Sequence, residues 1–179
     1  TEFDVPVVYT SLEDLLEDPQ VEIVDIAVPA PFQPAIAHKV IASGRSLLCQ
    51  KPLAVTFQDA KGIVTAAESA NVKIAVNQQM RWAPSIATAH SFIERGLLGE
   101  PVASTIDVNI LTRWGAWPWL VVNDHLELMY HSIHYQDATR YLFGMPDRIF
   151  TSGGKFPGQP ENAETRTLTV FEYGSGLTA

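Results

Sequence analysis

The chain has 179 residues, 46% of them hydrophobic and 18% charged, a composition that supports one large globular domain or two small ones and excludes a disordered chain. No apolar run reaches the roughly 18 residues that cross a bilayer, and the acidic start TEFDVPVVYT lacks the basic and apolar regions of a signal peptide, so a cytoplasmic protein is expected. A net charge of -8 without a Lys/Arg cluster argues against nucleic acid as a partner, and the single cysteine, Cys49, can form no internal disulfide.

In chain order, Val7 to Tyr9 reads as a short strand, and Ser11-Leu-Glu-Asp14 caps a helix from Leu12 to Glu17. Val21 to Ala27 is a β-branched strand, Ala35 to Ser43 a helix stopped by Gly44, and Ser46 to Cys49 a strand again. Thr56-Phe-Gln-Asp59 caps a helix that runs to about Ala70, and Lys73 to Asn77 is a further, buried strand. Strands separated by single helices imply right-handed crossovers and a parallel sheet.

The second half changes character. Pro84 to Arg95 predicts a helix ended by Gly96, and Val102 to Leu111 predicts a long strand with partial alternation. A Trp-rich loop, RWGAWPWL, follows, and then a helix from about Asp124 to Phe143, closed by Gly144 with Pro146 beyond it. Arg148 to Ser152 and Thr165 to Tyr173 read as strands of an antiparallel sheet. The pattern predicts an α/β chain: a truncated Rossmann-type parallel sheet over residues 1–80, then an α+β domain with a largely antiparallel sheet over residues 81–179. The boundary falls near residues 78–84.

Lys51 stands in CQKPLA, just past the strand Ser46 to Cys49. A residue before proline is pushed out of helical geometry, and open parallel sheets bind ligands outside the carboxyl ends of their strands. The position also suits a solvated strand-end lysine before a turn proline. The order of elements from VEIVDIAVPAPF through SLLCQKPLAVTF to KIAVNQQMRWAP resembles the glucose-fructose oxidoreductase / inositol 2-dehydrogenase (Gfo/Idh/MocA) family of NAD(P)-dependent sugar oxidoreductases. That family's Glu-Lys-Pro motif stands here as Gln50-Lys51-Pro52, followed by a strand ending in Asn77 and by Arg81.

The resemblance implies that Lys51 donates a hydrogen bond to the reacting substrate oxygen, with Pro29, Gln50, Lys51, Pro52 and Asn77 on the cofactor side. The cofactor it implies is NAD or NADP, and the substrate a small sugar or polyol. In the loop after the first strand, where the family often has Thr-Pro and a later His, Val28 and Gln33 stand instead.

HSIHYQDATRYLFG supplies His131, His134 and Asp137, which at about 100° per residue share one helical stripe. The family pattern Asp-x-x-x-His-x-x-Asp is matched by His134 and Asp137, and its first position is Tyr130. The resemblance thus implies His134 as the general base, with an unperturbed imidazole pKa of about 6.5 suited to the task. Arg81, Tyr130, His131 and Asp137 join Lys51 and His134 on the substrate side. Packing of the helix is the alternative for Asp137 and His131, and a helix-flanking ion pair for Arg81. Trp114, Trp117 and Trp119 suit either a sugar-stacking wall or loop packing. His125, His131 and His134 with Glu127 lack a metalloenzyme pattern, so no metal is expected.

A dinucleotide fold seats pyrophosphate on a glycine-rich turn, and the first half contains none. Gly174-Ser-Gly-Leu-Thr-Ala179 fits G-x-G-x-x-A but precedes no helix, so it reads as a hairpin turn. The expectation is a fragment that lacks the first βαβ unit and part of the C-terminal sheet, binds NAD weakly or not at all and shows no dehydrogenase activity alone. Exposed sheet edges then favour a homo-oligomer. The competing expectation is a non-catalytic binding or assembly module built on the same fold.

Overall fold

The computed structural model describes residues 3–179; Thr1 and Glu2, at the head of the acidic N-terminal stretch, lie outside the described residues. The chain divides into two compact units, Thr1–Asn77 and Gln78–Ala179.

In the first unit, helix α1 (Leu12–Glu17) starts at Ser11, whose hydroxyl accepts the Asp14 amide. Three parallel strands follow in the order β1 (Ile23–Ile26), β2 (Ser46–Cys49) and β3 (Ile74–Val76), joined by helices α2 (Gln33–Ala42) and α3 (Phe57–Ala70). Thr56 caps α3 by accepting the Asp59 amide, and Asn71 ends it in the left-handed region, at φ 52, which asparagine tolerates better than most residues. Alternate residues of β1 and β2, Val24, Ile26, Leu47 and Cys49, pack against Ala37, Val40 and Ile41 of α2 and Ile63 and Ala67 of α3. Burying each of the larger aliphatic side chains stabilises by about 1.5–3 kcal/mol.

Two expectations are corrected here. Val7 to Tyr9 forms no strand; the segment is held by the Tyr9 hydroxyl, which donates to Asp18. The third strand is half-buried rather than buried, with Ala75 exposed, because among the described residues it pairs only with β2.

The Cys49 thiol, wholly buried, is pushed up to about 11 by burial first and by the charge of Asp25 second, from an ordinary value of 9.0. A group raised in this way contributes stability that is complete below its unfolded pKa and lost as pH rises through the folded one. Urea unfolding between about pH 9 and pH 11 is expected to show a steeper loss of stability in the wild-type chain than in Cys49→Ala. Parallel pH curves for the two proteins are the contrary result.

The second unit opens with a 3₁₀ turn (Gln79–Trp82) and helix α4 (Pro84–Glu94), which ends at Gly96 with φ +66. Helix α5 (Ile133–Phe143) is preceded by a π-helical turn (Leu128–Ser132) and closed by Gly144. Strands β4 (Arg148–Gly154) and β5 (Arg166–Glu172) pair antiparallel. Beyond β5 the chain reverses through Gly174–Gly176 and pairs back, the Ala179 amide donating to the Phe171 carbonyl at 3.0 Å, so the terminal glycine motif is a hairpin turn.

The long strand expected at Val102 to Leu111 is absent. Only Ala103 forms a bridge, to Thr178, while Val102, Ile110 and Leu111 are exposed. A period-2 pattern supplies side chains, but a strand also needs a neighbour's backbone, and Thr178 serves a single register position.

The last helix begins later than Asp124 for a similarly long-range reason. Glu164 satisfies three successive amides: its carboxylate accepts those of Leu126 and Leu128, both at 3.1 Å, and its carbonyl accepts that of Glu127 at 3.2 Å. These are the donors that an uncapped helix start leaves unpaired. Glu164→Ala is expected to lower unfolding stability by about 1–2 kcal/mol, and Glu164→Gln by less, because the amide oxygen still accepts. Equal thermal shifts for the two variants would contradict this capping role.

Candidate active site

In the first unit the candidate residues lie at the carboxyl ends of the parallel strands. The ladder runs one residue past β2 on each side: the Gln50 amide donates to the Ile26 carbonyl at 3.2 Å, and the Asn77 amide to the Cys49 carbonyl at 2.8 Å. The Asn77 side-chain amide reaches the Gln50 side-chain oxygen at 3.4 Å. Lys51 follows, half-buried, and its peptide bond to the buried Pro52 is cis. Burial lowers the Lys51 pKa from the ordinary lysine value, because desolvation penalises the ammonium form. Pro29 opens the tight turn into α2, its carbonyl accepting the Phe32 amide at 2.9 Å.

Gln33, at the start of α2, was legible in the sequence only as a departure from the family loop. It is fully buried, and its amide nitrogen donates to the carbonyls of Gln50, at 3.0 Å, and Pro52, at 2.8 Å. Local patterning carries no signal for a partner 17 or 19 residues along the chain.

In the second unit, His134 sits near the start of α5 and is buried, at 7% exposure, as is Asp137. Both oxygens of Asp137 are engaged by Arg81, Oδ2 with Nε at 2.6 Å and Oδ1 with Nη2 at 2.7 Å. The Arg81 guanidinium also lies over the Tyr141 ring, at 5.4 Å. The Asp137 hydrogen bond raises the Arg81 pKa further, and the forked geometry ties the 3₁₀ turn to α5.

His131 belongs to the π-helical turn, so the regular stripe expected from His131 through His134 to Asp137 is broken at its first member. Its Nδ1 lies 2.9 Å from Glu127 Oε1, and the same oxygen accepts the Ser132 hydroxyl at 3.0 Å. The Glu127–His131 pair has the i,i+4 spacing of neighbours on a helix face, a signal available in the sequence. Tyr130 is buried edge-to-face with Trp119, and burial raises its pKa. Trp114 is buried and meets the His131 ring edge-on, whereas Trp117 is exposed.

A cavity of about 540 Å³ in this unit is lined by His131, Ser132 and Tyr135 of the helical segment, Thr167 and Thr169 of β5, and Asn109. His131, rather than His134, borders it. Its wall mixes these hydroxyl, amide and imidazole groups with the apolar Ile106, Ile110, Leu168 and Phe171 and the charged Asp107, Glu127 and Arg166.

Residues 1–78 match a family described as an oxidoreductase family with an NAD-binding Rossmann fold. D-apiose dehydrogenase of Paraburkholderia graminis is 26% identical over 178 residues, covering 99% of this chain and 47% of its own length. An uncharacterized oxidoreductase of Schizosaccharomyces pombe is 35% identical over 145 residues, covering 79% of this chain and 39% of its own. The crystal structure of an Agrobacterium radiobacter oxidoreductase in complex with NAD+, L-tartaric acid and magnesium superposes with a TM-score of 0.86. It covers 99% of this chain and 52% of that one at 23% identity, a likeness of fold alone. The chain therefore spans about half the length of the relatives it matches. With the motif Gln50-Lys51-Pro52 at the end of β2 and the NAD-binding match over the parallel sheet, residues 1–78 belong to the Gfo/Idh/MocA oxidoreductase family.

Proposed function

We propose that this chain contributes to an NAD(P)-dependent dehydrogenase that oxidises a hydroxyl-bearing carbon of a sugar or polyol, with Lys51 and His134 as catalytic residues. The observation that carries the reading is Lys51: a half-buried ammonium just past a parallel strand, in a loop whose backbone is held on both sides. The donor set there fits the cofactor's amide-bearing end. Gln50 and Asn77 offer neutral primary amides at adjacent strand ends, and Pro29 and Pro52 offer apolar walls. Nicotinamide, when bound, supplies the hydride acceptor.

Each protein group then has one task. Lys51 donates a hydrogen bond to the substrate oxygen and stabilises the negative charge that grows there. His134 takes the hydroxyl proton as the carbonyl forms. Arg81 and Asp137 hold the substrate side through their ion pair, and Tyr130 and His131 complete the substrate-side set. The division of labour is a dinucleotide-binding domain over residues 1–80 and a substrate-binding and oligomerisation domain over residues 81–179. D-apiose dehydrogenase among the relatives favours a sugar substrate.

Calorimetric titration of the full-length protein with NAD+ and NADP+, followed by turnover on a panel of sugars and polyols, tests the reading. Saturable binding of one cofactor with turnover supports it; binding of neither rejects it. A homo-oligomeric assembly role is favoured by the exposed Ile149, Phe150 and Leu168 of the two-stranded sheet. Light scattering that returns a stable multimer from a protein without turnover supports that reading alone.

A further inference from the structure

We propose that Gln33 is the positioning residue of Lys51, its side-chain amide gripping the backbone on both sides of the lysine. The inference rests on the reading of Lys51 as the hydrogen-bond donor to substrate. Past Cys49 and Gln50 the parallel ladder ends, and Pro52 has no amide proton of its own to offer. Gln33 Nε2 anchors the backbone on both sides of Lys51, 3.0 Å from the Gln50 carbonyl and 2.8 Å from the Pro52 carbonyl. Two fixed carbonyls flanking a single residue restrict its φ and ψ, and therefore the direction in which its Cα–Cβ bond leaves the chain.

Packing alone is a poor account of this side chain. Gln33 is 0% exposed, and its Oε1 is buried with no hydrogen-bond partner among the described residues. A sealed amide with an orphaned oxygen is costly, and an apolar residue of similar length fills the same space without that cost. The donor nitrogen is the part an apolar residue cannot supply. Its placement is itself determined locally. The Phe32 amide donates to Pro29, the Gln33 amide donates to Ala30 at 3.3 Å, and this turn sets Gln33 as the first residue of α2, facing the loop after β2. Catalytic donors must be held within about 0.5 Å of the productive position, and a misplacement of about 1 Å costs about 10²-fold in rate. A lysine with four methylenes meets that demand only if its root is fixed.

Gln33→Met keeps length and removes the donor; Gln33→His restores an N–H. In the full-length protein, Gln33→Met is expected to lower kcat about 10- to 100-fold with little change in KM, and Gln33→His to recover most of the loss. The second readout needs no turnover. In protein labelled with [13C]lysine, with the Lys51 signal assigned through Lys51→Arg, the Lys51 titration should move up toward that of an ordinary lysine in Gln33→Met and return in Gln33→His. An unchanged Lys51 titration in folded Gln33→Met overturns the proposal. If Lys51→Ala leaves turnover intact, the catalytic reading of Lys51 fails on its own, while the titration still decides whether Gln33 positions it. Should Gln33→Met not fold, a folded Gln33→His with the wild-type Lys51 titration supports the proposal, and one with a shifted titration overturns it.

Discussion

Lys51→Ala is expected to lower kcat for the proposed oxidation of a sugar or polyol by about 10²- to 10³-fold while cofactor binding is largely kept. The size follows from the role proposed for the side chain. A hydrogen-bond donor aimed at an oxygen that gains charge in the transition state acts mainly on kcat, because the ground-state hydroxyl draws on it weakly. Partial burial strengthens the effect, since a half-desolvated ammonium interacts through less water than an exposed one. The same burial lowers the Lys51 pKa, so the charged form is lost at a lower pH than in an ordinary lysine, and the alkaline limb of the rate profile should fall early. Lys51→Arg keeps the charge but not the compact shape and should recover little. Steady-state kinetics on the three proteins, with fluorescence titration of the cofactor, checks each point; a kcat for Lys51→Ala within about threefold of wild type removes the lysine from the chemistry.

The parts of this fold that were legible in the sequence are those whose causes lie within a few residues. Ser11 with Asp14 and Thr56 with Asp59 are hydrogen bonds between residues three apart, and both caps stand where the motif put them. Strand β2 spans the apolar run Ser46–Cys49 because its neighbours on either side supply ladders, and Lys51 is placed at its end by the same logic. What escaped depends on distant groups. The start of the last helix is set by Glu164, 36 to 38 residues away, and the anchoring of the Lys51 loop is set by Gln33. Val102 to Leu111 has a strand's composition and lacks the paired backbone that would make it one. The π-helical turn at Leu128–Ser132 rotates His131 out of the regular stripe, and no residue-by-residue pattern announced it.

His134→Gln is expected to lower kcat by about 10²- to 10⁴-fold and to erase the acid limb of the pH–rate profile. Glutamine is close in size and still polar, so the buried site at 7% exposure need not collapse, and the Arg81–Asp137 fork one turn further along continues to hold α5. The loss therefore reports proton transfer more than folding, which a thermal melt within a few degrees of wild type would verify. His131→Gln is the informative control. His131 is already paired with Glu127, borders the cavity and stands in a π-helical turn, a local geometry frequent at functional sites. If His134 is the base, His131→Gln should change KM more than kcat and leave the acid limb in place. If the limb instead vanishes in His131→Gln and survives in His134→Gln, the base is the Glu127–His131 pair. The carboxylate missing at Tyr130 would then have a counterpart three residues earlier, with its own histidine four residues on.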